Sequence, residues 1–242
     1  LPEMLKETIG NDSFRCFNFE TERLIQETDV TFVSVGTPSR SDGSIDLQYI
    51  EAVSRDIGKA LGKKSGYHVV VIKSTVIPGT TQNIVKAILE RESGKRCGID
   101  FGLCMNPEFL RQGSAFYDTF HADRVVIGEF DKKSGDVLEG LYRDFYGEVV
   151  PPIIRTTLST AELIKYASNS MLATKISFIN TIANICEKIP DADVKAVATA
   201  MGLDKRIGPL FLDAGLGYGG SCFPKDVKAL IACSKAVGYT PD

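Results

Sequence analysis

Compact β-branched runs alternate with amphipathic stretches through the first two thirds of the chain, and no other feature restricts the fold so strongly. Val30-Thr31-Phe32-Val33-Ser34-Val35 reads as a strand closed by Gly36-Thr37-Pro38. Asp46 is placed to cap a helix running to about Lys64, with Ile50, Val53, Ile57 and Leu61 on one face. His68-Val69-Val70-Val71-Ile72-Lys73 is the next strand, followed by the turn-forming Ser74-Thr75-Val76-Ile77-Pro78-Gly79 and a helix over about 81–92. Further strands are expected at 101–104, 124–127 and 153–155, with a helix over 134–145. Before the first strand, residues 1–29 read as a helix, a turn and a short acidic helix. Leu1-Pro2-Glu3-Met4 has no initiator methionine and reads as a helix already under way, so the chain is expected to begin inside a domain.

Strands alternating with helices make βαβ units and a parallel sheet. Ligands of such sheets bind outside the carboxyl ends of the strands. Three of those ends carry polar, turn-forming segments: Gly36-Thr37-Pro38, Lys73-Ser74-Thr75 and Asn106-Pro107-Glu108. Each alone is ordinary loop chemistry; a parallel sheet would gather all three at one edge.

The pattern changes near residue 156. Ser159-x-x-Glu162 reads as a capping box. Behind it a long helix runs to about Lys188, with Ile164, Ala167, Met171, Leu172, Ile176, Ile179, Ala183 and Cys186 at helical spacing, and Pro190 ends it. Asp193 to Met201 is a second helix, stopped by Gly202. The expected division is therefore 1–155, an α/β domain, and 156–242, an all-helical domain. A helix as long as 159–188 commonly bridges domains or builds a subunit interface. Lys165 and Asn169, four apart, share one of its faces; by default such a pair is a solvated polar stripe.

The densest cluster of special residues is Gly215-Leu216-Gly217-Tyr218-Gly219-Gly220-Ser221-Cys222-Phe223-Pro224-Lys225-Asp226. Pro224 suits the first position of a helix continuing to Ala236, which places Cys222 just before a helix N-terminus. Free amides and the dipole there favour a thiolate and make the sulfur a nucleophile. Gly215-x-Gly217-x-x-Gly220 matches the dinucleotide fingerprint, which works only between a strand and a helix with an acidic residue about 20 positions on. Here Ile207 to Ala214 reads as the end of a helical region and Asp242 is the last residue, so a phosphate-loop reading is rejected.

The net charge of −3 gives no reason to expect nucleic acid or an anionic membrane as partner, and no apolar run is long enough to span one. Six scattered cysteines without a C-x-x-C pair argue against a metal site or a disulfide scaffold and point to the cytoplasm. With only His68 and His121 present, a Ser-His-Asp triad is improbable.

Taken together, Val35-Gly36-Thr37-Pro38, Lys73-Ser74-Thr75-Val76, Asn106-Pro107-Glu108-Phe109-Leu110, Glu162 to Asn169, Asp204 to Gly208 and Gly217 to Asp226 resemble the UDP-glucose/GDP-mannose dehydrogenase family, in the family's order. Arg206-Ile207-Gly208 and Gly219 to Phe223 look most like members acting on UDP-glucose; members acting on GDP-mannose or UDP-N-acetylmannosamine share most of these motifs. The resemblance implies a Rossmann-like NAD-binding domain, here without its first βαβ unit, then a helical 6-phosphogluconate-dehydrogenase-like dimerisation domain, with a C-terminal nucleotide-binding domain absent. It implies a four-electron oxidation of a sugar C6 alcohol using two NAD⁺. Cys222 would carry the thiohemiacetal and thioester, and Glu108 would position the hydrolytic water. Lys165 and Asn169 would face the reacting oxygen, Thr75 would hold a water or hydroxyl, and Asp226 would support Cys222 from one turn away. Val35, Gly36, Thr37, Pro38, Ser74, Thr75, Gln112 and Cys222 would meet NAD. Glu108, Phe109, Leu110, Arg111, Lys165, Asn169, Arg206, Gly217, Tyr218 and Gly219 would hold the nucleotide sugar, and a homodimer would form through the 159–188 helix.

Two departures from the family stand out. Gln112 occupies a position usually held by a glutamate, keeping the hydrogen-bonding shape without the charge. The Gly-rich turn and ribose-binding acidic residue of the family's N-terminus are not in this chain. The missing Gly-rich turn keeps a second reading open, a non-catalytic binding or dimerisation module. A cysteine hydrolase would need a base beside Cys222, and a 6-phosphogluconate-type reductase would lack the Gly-Gly-Ser-Cys run.

Overall fold

The structure, a computed structural model, describes residues 2–10, 14–18 and 20–240; Leu1 and Asp242, both used in the sequence reading, lie outside them. The described chain forms two compact units: Leu1–Thr37 with Asp46–Glu162, and Pro38–Ile45 with Leu163–Asp242.

In the first unit, helices α1 (Pro2–Gly10) and α2 (Thr21–Glu27) precede strand β1 (Val30–Val33). Helix α3 (Gln48–Lys63) leads to β2 (Val69–Ile72). A single π-helical turn, Thr80–Val85, runs straight into α4 (Lys86–Ser93), and β3 (Gly102–Met105) follows. Then come α5 (Ala115–Phe120), β4 (Val125–Glu129), α6 (Lys132–Tyr146) and β5 (Ile153–Thr157). The N-cap position of α3 falls to Leu47 and not to the expected Asp46, which stands one residue earlier with its Oδ1 accepting the Gln48 amide at 3.0 Å.

The sheet has the order β1-β2-β3-β4-β5. β1, β2 and β3 are mutually parallel, with Val30, Val69 and Gly102 in register. The expected all-parallel sheet is corrected at one joint: β4 runs antiparallel to β3, pairing Cys104 with Glu129 and Met105 with Gly128, and β5 follows β4 in parallel. The β3–β4 connection lays no long helix across the sheet, α5 having 6 residues, and it re-enters at the edge where the chain left β3, which makes the two strands antiparallel neighbours. The three polar segments follow β1, β2 and β3, so the mixed sheet still places them at a common edge.

Strands β2 and β3 are buried along their whole length. Val69, Val71, Cys104, Val125 and Ile127 form a core cluster with Leu138 of α6. Close approach of α6 requires Gly102: a Cβ there would fall 2.7 Å from that of Ser134.

The junction of α2 and β1 depends on two buried side chains. Lys64 Nζ donates to the carbonyls of Ile25 and Thr28, both at 2.8 Å, neutralising the negative end of α2. The Thr28 carbonyl also accepts His68 Nδ1–H at 2.9 Å, which leaves Nε2 to accept from Thr31 Oγ1. Burial lowers the His68 pKa, with the Lys64 cation adding to the effect and Asp29 opposing it. The unfolded chain therefore takes up this proton first, and stability falls as pH drops below the ordinary histidine value. Between about pH 7.5 and about pH 5.5 the melting temperature should decline, and His68→Gln should flatten that slope. A wild-type profile no steeper than the variant's would contradict this.

In the second unit, α7 (Leu158–Cys186), which starts in the first unit, is followed by α8 (Val194–Leu203) and α9 (Cys222–Ala236). The expected helix end at 207–214 is absent; turns and irregular backbone occupy that stretch. Asp204 Oδ1 takes the Arg206 amide at 2.9 Å, Gly208 has φ +69, and Pro209 cannot continue a helix. The segment Pro38–Ile45 folds on itself, with Asp42 Oδ1 accepting the Ser44 amide at 2.9 Å.

Candidate active site

The first unit presents the strand-end loops. Ser74 donates from Oγ to the Val35 carbonyl at 2.7 Å, joining the segments after β1 and β2. Thr37 is buried, Thr75 and Val35 are half-buried, and Gly36 and Pro38 are exposed. A Cβ at Gly36 would meet nothing within 4 Å, so the backbone there is open to a ligand. After β3, the buried Asn106 fixes the loop: Nδ2 donates to Val126 O and Oδ1 accepts Lys73 Nζ, both at 2.8 Å. The Tyr142 hydroxyl also donates to Asn106 Oδ1, and burial pushes its pKa up to about 12, so it stays a donor.

From this base project Glu108 and its neighbours. Glu108 is half-buried, and its Oε2 accepts the Leu110 amide at 2.6 Å. Phe109 lies under the Arg124 guanidinium, 3.9 Å from the ring centroid. Leu110, Arg111 and Gln112 are exposed. Arg111 pairs with Asp118, its amide donating to Oδ2 at 2.8 Å, and these hydrogen bonds hold the Asp118 carboxyl well below the usual carboxylate range.

In the second unit, Cys222 is the first residue of α9, with Ser221 as N-cap. This corrects the expectation that the helix begins at Pro224; the cysteine stands inside the first turn. Its Sγ is exposed, 3.8 Å from Ser221 Oγ. One turn on, Asp226 is only 1% exposed. Its Oδ2 accepts Asn169 Nδ2 and its Oδ1 accepts Lys225 Nζ, each at 2.6 Å. Asn169 thereby joins α7 to α9.

The face of α7 bearing Lys165 and Asn169 is not a solvated stripe. Lys165 is 4% and Asn169 6% exposed, beside the buried Ala161, Glu162, Tyr166 and Ala173. The apolar face expected from spacing is turned the other way at Ala167 and Met171, both exposed.

The Gly-rich run precedes α9 without a strand before it among the described residues, in keeping with rejection of a phosphate loop. Gly217 takes φ +101 and Gly220 φ +75, conformations closed to most residues. Gly217 and Gly219 are exposed; the half-buried Tyr218 meets Phe223 edge-on, with centroids 5.9 Å apart. Lys175 Nζ of α7 donates to Ile207 O at 3.1 Å, securing the Arg206 segment, whose guanidinium pairs with Asp204 at 2.6 Å.

Lys225 and Glu162 were absent from the predicted site. Lys225 neighbours Asp226 in sequence, a cue that spacing alone did not single out. Asp226→Asn should leave Lys225 without its counter-charge and, with one acceptor oxygen in place of two, serve Asn169 or Lys225 but not both. A loss of about 1–3 kcal/mol is expected in urea unfolding; unchanged stability would show that this link is not structural.

Residues 1–146 match the NAD-binding domain, and residues 159–242 the central domain, of the UDP-glucose/GDP-mannose dehydrogenase family. UDP-glucose 6-dehydrogenase YwqF of Bacillus subtilis (strain 168) is 51% identical over 88% of this chain and 47% of its own length. GDP-mannose 6-dehydrogenase of Pseudomonas savastanoi pv. phaseolicola is 44% identical over 95% and 52%. The structure of a UDP-glucose dehydrogenase from the hyperthermophilic archaeon Pyrobaculum islandicum superposes with a TM-score of 0.89 at 43% identity, covering 98% of this chain and 53% of that one. The chain spans about half the length of these relatives.

Proposed function

The chain belongs to the UDP-glucose/GDP-mannose dehydrogenase family, and from that premise we propose that it serves NAD-dependent oxidation of a nucleotide-sugar C6 alcohol, UDP-glucose foremost, to the carboxylate. The observation carrying this reading is the buried Asn169–Asp226 hydrogen bond, one helical turn from an exposed cysteine at a helix N-terminus. A solvated polar stripe and an incidental thiol would not be organised in that way.

The open backbone at Gly36, the Ser74 hydroxyl and the half-buried Thr75 fit a dinucleotide at the strand ends. NAD⁺, when bound, accepts a hydride in each of the two oxidations. Val35, Thr37, Pro38 and Gln112 complete its contacts. Arg206, Gly217, Tyr218, Gly219, Phe109, Leu110 and Arg111 hold the nucleotide sugar.

Cys222 Sγ adds to the C6 aldehyde, its proton passing to the carbonyl oxygen, to give a thiohemiacetal. Oxidation of that adduct gives a thioester, dividing a difficult conversion into separate steps. Lys165 and Asn169 stabilise negative charge on the reacting oxygen, and their burial strengthens the effect. Asp226 holds Asn169 in place. Glu108, with Thr75, positions the water that attacks the thioester carbon and releases the carboxylate and the Cys222 thiol.

A second copy of the chain is the proposed partner. Met171, Phe178 and Ile185 recur at intervals of seven on α7 and are exposed. A stripe of that period suits a facing helix. The cytoplasm is the proposed location, since all six cysteines are free thiols. No helix among the described residues is long and apolar enough to cross a membrane.

In the full-length protein, NADH release is expected with UDP-glucose in preference to GDP-mannose and UDP-N-acetylmannosamine, and Cys222→Ser should abolish acid formation. Acid production at the wild-type rate by that variant would eliminate the covalent route. Phe178→Asp should shift the protein from dimer to monomer in light scattering after gel filtration; an unchanged mass would place the interface elsewhere.

A further inference from the structure

Glu162 is fully buried and takes no part in the steps above. The expected capping box does not form. Helix α7 starts at Leu158, and Thr157 Oγ1 accepts the Thr160 amide at 3.3 Å, so the local cap is already supplied. Glu162 reaches another segment instead. Its Oε2 accepts the Gly79 amide at 2.6 Å and its Oε1 the Thr81 amide at 2.8 Å. These are donors at the start of the π-turn that runs into α4, where backbone N–H groups lack partners within the helix. Gly79 sits there with φ +92, and an added Cβ would come within 3.0 Å of Asn83 Nδ2.

Burial raises the Glu162 pKa against the lowering pull of Thr81, side chain and amide, and of the Gly79 amide. A buried carboxylate is costly, and alanine or leucine would suit a mere core position better. What the carboxylate supplies is a two-point attachment between the first turns of α7 and the turn that follows Ser74 and Thr75. Lys165 comes three residues after Glu162 on the same helix, and Asn169 four after that.

We propose that Glu162 is a positioning residue: its bidentate grip on Gly79 and Thr81 sets the axial place and rotation of α7, and so the aim of Lys165 and Asn169. The inference rests on the dehydrogenase reading for its kinetic consequence, whereas the anchoring is measurable without turnover.

The test uses Glu162→Gln in the full-length protein, where the amide nitrogen cannot accept from a backbone N–H. Expected are a fall in kcat of about ten- to a hundredfold with KM for the nucleotide sugar within about threefold, and at least about tenfold faster amide exchange in segments 77–82 and 160–170. If the folded variant keeps both the wild-type kcat and the wild-type exchange, the proposal fails. Faster exchange with unchanged kcat leaves Glu162 a structural anchor and overturns its positioning role. If the wild-type protein oxidises none of the nucleotide sugars, the dehydrogenase reading fails instead, and exchange alone then decides whether Glu162 holds α7. Should Glu162→Gln not fold, Glu162→Asp keeps the charge and reaches only one amide; full activity and wild-type exchange in it would overturn the proposal.

Discussion

A strand buried on both faces can offer a ligand only its end, and β2 imposes this on the whole first unit. Val69 to Ile72 are buried and pair in parallel with β1 on one side and β3 on the other. Their polar backbone is consumed by the ladders, so the first side chains free to turn toward a ligand come where the ladders stop, at Ser74 and Thr75, which the proposed reading gives to the dinucleotide. The Ser74 hydroxyl then ties in the Val35 carbonyl, and Asn106 secures the loop after β3 through Val126 and Lys73. Hydrogen bonds to the strand ends thus hold those side chains in place.

Helix α7 reverses the usual economy of an amphipathic helix. Its buried face includes Glu162, Lys165 and Asn169, while Met171, Phe178 and Ile185 face outward. Groups of this kind stay buried only where hydrogen bonds or opposite charge compensate them. Glu162 has the Gly79 and Thr81 amides, and Asn169 has the Asp226 carboxylate, itself balanced by Lys225. Such a face is poor at driving folding and well suited to holding a few polar atoms at fixed places. The outward apolar stripe is the face given to a second copy in the proposed dimer.

Much of the layout was legible in the chain. The β-branched runs gave the strands, because a buried parallel strand has few other compositions. The turn residues after β1, β2 and β3 marked the edge where the strands end. Cys222 stood out because glycines, a serine and a proline flank it, and Lys165 and Asn169 because four residues make one helical turn. These are local periods and local chemistry, and a single segment carries each of them.

What remained hidden depended on partners distant in sequence. The reversal of β4 and β5 turns on the path taken by the connection after β3, which strand composition does not encode. Glu162 fitted a local capping box, yet its partners lie more than 80 residues earlier. The spacing that placed Lys165 and Asn169 on one face could not say whether that face met water or protein. Sequence by itself determined the strands, the long helices and the strand-end loops, since these follow from backbone sterics and short-range periodicity, while the short helix α5 and the turns over 207–214 escaped it. Tertiary structure alone decided which polar groups were buried and what compensated them, because the free energy of a buried charge depends on the atoms brought against it.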